Sequence, residues 1–398
     1  MKTIDKNLFK TLVLSVTAAA ALIACGGGGD TVTPPAAIGP IDTVVIADPI
    51  TSVSNAVATS IGATPIAGAS SDEEVYDLVA DIGDTWQLVL NNRTNTYVIK
   101  VLRTQFELTS TTAAAFTRTI AGNIITITGP TGNDLSVQID IRTKSVGGNA
   151  RVGLRNATLA GTGYTVASTA LLAGNYFFLG ATRNVSNGGF ADNPAGSFIV
   201  APNGTDITVC DGGIVVNNAC AVVPNSGLPA VNSKLLKVSK DSVTGLLMVK
   251  DGVRDFGILH VSAGDRGPVL MLDRFGVNDD GISRTGVFFA GKAVKLAGTE
   301  FNGNFICSIN GIDSVAVAVT GTTYSGKNLV RNINFSGSLL YNKVVSGNGL
   351  SLIDIDGVAT SRNVDETLAD AGLVLPLSSS LAVVSALDGT LDICRRAS

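Results

Sequence analysis

The chain of 398 residues contains a single histidine, His260, and a single tryptophan, Trp86. One imidazole excludes metal sites built from several histidines, and any Ser-His-Asp or Cys-His nucleophile system would have to be assembled on His260. That residue lies in Phe256-Gly257-Ile258-Leu259-His260-Val261. Strand alternation puts it on the face of Phe256 and Ile258, with Leu259 and Val261 on the other, as expected of a structural strand histidine. No Gly-x-Ser-x-Gly stands in a strand-to-helix context, and no Cys-x-x-Cys occurs. Aromatics make up only 5%, so the aromatic platforms that usually flank the acids of carbohydrate enzymes are scarce. Charged residues are also few, at 15% against 45% hydrophobic, a balance that can bury large cores and excludes intrinsic disorder of the whole. No catalytic residue, metal site or cofactor is assigned on this basis.

What is present begins at the N-terminus. Lys2, Lys6 and Lys10 precede an apolar stretch starting near Leu12 that closes on Leu22-Ile23-Ala24-Cys25-Gly26. Basic region, short apolar region and small residues before a cleavage point follow the order of an export signal, and the apolar stretch is too brief to span a bilayer stably. The run resembles a bacterial lipoprotein signal. By that resemblance residues 1–24 are removed, the Cys25 thiol takes a diacylglyceryl group, and its freed amine takes an acyl chain such as palmitate. Several chains hold a protein essentially permanently on a membrane, each buried methylene contributing roughly 0.8 kcal/mol. Gly26 is not the Asp that the family associates with inner-membrane retention, so the implied address is the outer membrane, lipid-anchored, facing periplasm or cell surface.

Removing residues 1–24 takes away three Lys and one Asp, leaving 25 basic and 31 acidic residues and a net charge of -6. That excludes nucleic acid as a partner, since such binding rests on dense Lys and Arg neutralising phosphates. After Cys25 no run of 18 apolar residues follows, so no helical span is expected. A transmembrane β-barrel is disfavoured by the scarcity of aromatics for interfacial girdles and by the end Arg395-Arg396-Ala397-Ser398.

Besides Cys25 there are four cysteines, Cys210, Cys220, Cys307 and Cys394, an even number suited to an oxidising compartment. Four cysteines allow three pairings. The turn-rich segment between Cys210 and Cys220, with Asp211-Gly212-Gly213 and Asn217-Asn218, favours a bridged hairpin there, which leaves Cys307 with Cys394.

Forty-five glycines with abundant Thr, Ser, Asn and Val indicate many short strands joined by tight turns. Five segments are expected: a signal peptide (1–24), the lipidated Cys25 with a flexible tether (25–70), and β-modules over 71–165, 166–294 and 295–398. A short helix is expected at Ser71–Val79, where Ser71-Asp72-Glu73-Glu74 resembles a capped acidic first turn, and another over Asp365–Ala371. Elsewhere alternation marks strands, beginning with the hairpin Trp86–Leu90 and Thr96–Val101 and including Leu329–Phe335 and Ser338–Val344. Their spacing is too short for parallel crossovers. The fold class is therefore all-β, antiparallel meanders, sandwiches or small barrels, two or three in tandem with few short helices. Leu172-Ala173-Gly174-Asn175-Tyr176 recurs as Leu296-Ala297-Gly298-Thr299-Glu300-Phe301, which marks either two copies of one barrel or a coincidence of common residues.

Acidic residues supply the remaining candidates. Asn278, Asp279 and Asp280 before Gly281 could offer oxygens to calcium, yet the register fails that of an EF-hand loop, and a hairpin turn flanked by Asp–Arg pairs is the preferred reading. Asp265, Asp273 and the pair Asp354 and Asp356 could serve a carboxylate-based hydrolase acting on an envelope or extracellular polymer. The preferred function is a non-catalytic membrane-anchored envelope lipoprotein with a binding or structural role. Its partners are the membrane through the lipid anchor and a protein, polymer or small apolar ligand.

Overall fold

The computed structural model describes residues 48–186, 190–211, 213–222, 232–345, 352–385 and 390–397. Cys25, the expected signal peptide and the expected tether as far as residue 47 lie outside these. The described chain is all-β apart from one α-helix and two single turns of 3-10 helix.

Three antiparallel sheets carry the structure. The first has nine strands, running in space from Ala114–Ala115 through Thr96–Arg103, Asp84–Asn91 and Glu73–Ala80 to Arg155–Thr162, then back along the sequence to Thr117–Ala121. It curls on itself, so that Leu78, Trp86, Leu88, Ile127, Leu135 and Val137 meet in one core with no exposure. Each such aliphatic side chain contributes about 1.5–3 kcal/mol by leaving water.

The second sheet also has nine strands, but the first and last of its main run, Gly174–Asn184 and Arg284–Lys292, pair from Tyr176 opposite Lys292 to Asn184 opposite Arg284. With the short strand Phe190–Asp192 left outside, eight strands close into a barrel. The third sheet is a closed barrel of eight strands, from Gly303–Ile309 to Leu391–Arg396. The repeated Leu-Ala-Gly motif stands just before each closure. Gly174 begins the first strand of one barrel, and Phe301 lies two residues ahead of Gly303, where the other begins.

The expected helix at Ser71–Val79 is instead the strand Glu73–Ala80. Tyr76, Leu78 and Ala80 enter the core of the first sheet, while Val79 on the opposite face joins the apolar cluster between sheets. A period of two overrides the acidic cap signature. The expected tether is likewise ordered from Pro49. Asp48 caps the helix Pro49–Ser60, accepting from the Thr51 N–H at 2.8 Å, and proline follows at the first helical position. Ser54 on this helix donates to the Ala263 carbonyl at 3.0 Å, and Ala58 and Ile61 join the apolar core of the first barrel. The expected helix over Asp365–Ala371 reduces to one 3-10 turn, Leu368–Asp370. Leu329–Phe335 and Ser338–Val344 merge into the single strand Ile333–Val345, and residues 329–332 form a turn.

The sheets pack through side chains as well as backbone. Phe177, Met271 and Phe289 on the outside of the first barrel meet Leu375, Val383 and Ile393 on the outside of the second, with Val79 of the first sheet against them. Gly83 has φ +83°, and a Cβ there would stand 2.0 Å from Thr285 Oγ1. Only glycine allows this approach, through which Thr285 donates to the Ile82 carbonyl at 2.9 Å. No helix among the described residues is long and apolar enough to cross a membrane.

Candidate functional site

The two barrels have the same number of strands and differ in what points inward. In the first barrel Tyr176 stacks on Phe198 with ring centroids 5.1 Å apart, and Phe178 reaches Phe198 at 6.0 Å and Phe288 at 5.8 Å. Phe256 continues the chain to Phe288 at 6.2 Å, leaving an apolar space of about 90 Å³. An eight-stranded barrel is just wide enough to be filled by side chains or to hold one small ligand, and large aromatics select the first outcome.

The second barrel takes the other outcome. Register places Val315, Val317 and Val319 inward along Ile312–Thr320, Gly326 inward beside Phe335, and Ala382 and Val384 inward across from Cys394 and Asp392. These smaller residues leave a cavity of about 500 Å³. Phe301, Phe305 and Leu339 are buried at one end, where the Phe301 and Tyr341 rings stand 5.8 Å apart. Tyr341 donates to the Gly321 carbonyl at 2.9 Å, and burial pushes its phenol up to about 12. Val315, Val317, Tyr324 and Phe335 face inward yet remain partly exposed, as side chains do around an open cup.

Polar groups concentrate toward the other end, among Asn328, Arg331, Asn363, Glu366 and Asp370. Tyr324 donates to Asn363 Oδ1 at 2.9 Å, and Asn363 donates from Nδ2 to Glu366 Oε1 at 2.8 Å. Burial, with Glu366 nearby, pushes the Tyr324 phenol up to about 12, so it remains a hydrogen-bond donor at neutral pH. Asp370 accepts from Thr367 Oγ1 at 2.6 Å. The arrangement is an apolar cup with a hydrogen-bonding rim, the chemistry of a ligand pocket rather than of a proton-transfer site.

Both disulfides lie in the barrels. Cys210–Cys220 ties the small hairpin Gly213–Val216 and Ala219–Val222 to the first barrel. Cys307–Cys394 joins the first and last strands of the second, and both residues line its cavity.

His260 is 5% exposed and faces the first sheet, its Nδ1 3.6 Å from Asp77 Oδ2. Leu259 and Val261 point into the first barrel, as the alternation requires. Phe256 does not share the His260 face. Phe256 is the extra residue of a bulge opposite Val249 and Lys250, and it turns inward onto Phe288.

The acids singled out in the sequence are dispersed. Asp265 Oδ1 accepts from the Ser379 N–H at 3.0 Å. Asp273 is fully buried between the first sheet and the first barrel, accepting from Thr85 Oγ1 at 2.6 Å with Arg103 at 3.4 Å. Burial pushes its carboxyl up to about 6 against the opposing pull of Arg103. Asp279 lies in an exposed turn between Arg254 and Lys234, the latter at 3.1 Å, and these cations hold its carboxyl below the usual range. Asn278 Oδ1 accepts from the Ile282 N–H at 2.9 Å, closing the turn, while Asp280 meets Asn278 Nδ2 at 3.4 Å. Asp354 pairs with Lys343 on the neighbouring strand, and Asp356 is exposed. Among the described residues no group of three His, Cys, Asp or Glu side chains could hold a metal ion.

Sequence alternation marks these strands and not the cavity they enclose. Its inward positions, Val315, Val317 and Val319 against Tyr176, Phe178 and Phe198, carry the size contrast that distinguishes the barrels.

No family model matches the chain, and no curated protein matches it. Among solved structures it is similar to the vaccine antigen transferrin binding protein B of Haemophilus parasuis Hp5. One crystal structure, of a single-substitution mutant, shows 9% identity over 84% of this chain and 77% of that one, with a TM-score of 0.15. Another, of a double mutant, shows 10% identity over 82% and 66%, also with a TM-score of 0.15. A likeness of this degree carries no argument about function.

Proposed function

We propose that the chain is a non-catalytic lipoprotein of the bacterial outer membrane, anchored through acylated Cys25, whose second barrel holds a small, mainly apolar ligand. The observation that carries the reading is the cavity of about 500 Å³ in that barrel, set beside an otherwise similar barrel filled with aromatics. Ligand pockets are typically of this size and apolar, with a few polar groups that fix orientation. Tyr324 and Asn363 supply such groups at the rim.

The carboxylate-hydrolase alternative gains no support from the positions of its acids. Asp265 and Asp273 lie in separate interfaces, and Asp279 and Asp354 are each held by a lysine in different sheets.

The ligand reading is tested by purifying the full chain from envelopes, extracting it with organic solvent and identifying what comes off by mass spectrometry. A stoichiometric apolar compound lost on Val317→Trp is expected; an empty protein that also fails to take up apolar probes overturns the reading. The anchor is tested separately. Cys25→Ala should release the protein from the detergent phase in phase partitioning and abolish incorporation of labelled palmitate.

A further inference from the structure

The mouth of the second barrel carries an apolar fringe. The strands Thr323–Asn328 and Ile333–Val345 are joined by the turn Leu329-Val330-Arg331-Asn332, where Asn332 at φ +58° reverses the chain. Hairpin turns ordinarily carry Gly, Asn, Asp or Ser. Here Leu329 is 41% exposed, Val330 70% and Ile333 57%. Val364, 73% exposed, lies against the same hairpin, its N–H donating to the Ser336 carbonyl at 3.0 Å.

Single exposed aliphatics are ordinary. Val243 and Val253 on turns of the first barrel are examples, each flanked by polar or glycine neighbours. Three within five positions, at the rim of an apolar cavity, form a patch. Two exposed cations, Lys327 and Arg331, bracket Leu329 and Val330, and Arg331 and Ile333 also line the cavity. The acids that line the cavity are turned onto nearby donors, Glu366 onto Asn363, Asp370 onto Thr367 and Asp392 onto Ser314 Oγ at 3.3 Å. Asp365 stays exposed beside Val364, so the contact centres on the Leu329–Ile333 tip.

We infer that this tip docks on an anionic lipid surface, its aliphatic side chains entering the headgroup region and Lys327 and Arg331 meeting lipid phosphates. Such a surface offers what the tip presents, apolar depth beneath negative charge. Resting on the ligand-holding reading, the contact gives the cavity its source. An apolar molecule leaving the bilayer at the docked mouth enters the barrel without first exposing its surface to water, a step that is costly for every apolar group exposed.

The test uses the full chain carrying Cys25→Ser, so that no acyl anchor obscures the contact. Sedimentation with vesicles of phosphatidylethanolamine and phosphatidylglycerol is compared with vesicles of phosphatidylcholine alone. Retention on the anionic vesicles is expected, with a partition coefficient lowered about tenfold or more by Val330→Asp, or by Lys327→Glu with Arg331→Glu, and unchanged by Val253→Asp. Independently, Val330→Trp should show a blue shift of emission on anionic vesicles over the constant signal of buried Trp86. Absence of retention on anionic vesicles, or equal retention of Val330→Asp, overturns the inference. Ligand extraction from the wild-type chain is a separate readout, so failure at the membrane and failure of the cavity reading are told apart.

Discussion

Cys307 and Cys394 face each other across the seam where the first and last strands of the second barrel pair, Cα atoms 3.8 Å apart and joined by a disulfide. The bond closes the wall of the cavity at the one strand pairing that spans the whole barrel in sequence, a separation of 87 residues.

Removing that bond should therefore act on the second barrel before the rest. The chain-entropy model assigns a loop of this length roughly 4 kcal/mol. The double change Cys307→Ala and Cys394→Ala should lower the unfolding free energy by a comparable amount and expose the cavity strands first in hydrogen exchange, while Cys210→Ala with Cys220→Ala costs less.

Two buried acids give a pH dependence of definite sign. Asp273 and Asp81 are both buried and both pushed up by that burial to about 6, from the ordinary 3.8. A carboxyl with a raised folded pKa contributes most below its unfolded value, and that contribution is lost as pH rises through the folded value. Asp273→Asn fixes the uncharged state. Thermal melts at pH 4 and pH 7 should show this variant gaining stability relative to wild type across the interval; a loss on going to pH 7 contradicts the assignment.

The barrels should respond oppositely to changes in side-chain size. Phe178→Ala removes a ring between Phe198 and Phe288 in a filled interior and should cost about 3–5 kcal/mol in urea unfolding. Val317→Phe adds volume where space of about 500 Å³ exists, and should leave the midpoint nearly unchanged.

The acidic turn should be indifferent to calcium. Asp279 is held by Arg254 and Lys234 at an exposed site, where solvent screens such pairs and leaves them little weight in stability. Millimolar calcium should leave the melting temperature where a chelator leaves it, and Asp279→Ala should change it little.

Much of the fold was legible because strand alternation and turn residues are local. The hairpin through Asn95, at φ +51°, and the spacing of the cysteines are examples. The acidic start at Ser71 misled because a capped helix and an edge of Glu73-Glu74 look alike over four residues, and Asp77 sits within the strand for a reason found far away, at His260. The helix after Asp48 had its signal in Asp48-Pro49, hidden by a small-residue context that gains its apolar face only against the first barrel. Barrel closure was not legible. The pairing of Tyr176 with Lys292 joins residues whose local sequence says nothing of the partner, and only the elimination that left Cys307 with Cys394 pointed to the other seam. The cavity depends on that closure, and so the site stayed hidden although its inward valines were visible.

The central claim, that the second barrel is a container and the first is not, is tested most directly by titrating the purified chain with an uncharged apolar fluorophore such as N-phenyl-1-naphthylamine. Saturable binding at one site per chain, abolished by Val317→Trp and by Val384→Trp and retained in Leu236→Met in the first barrel, is the predicted result. Absence of binding, or binding that survives both tryptophan variants, would contradict it.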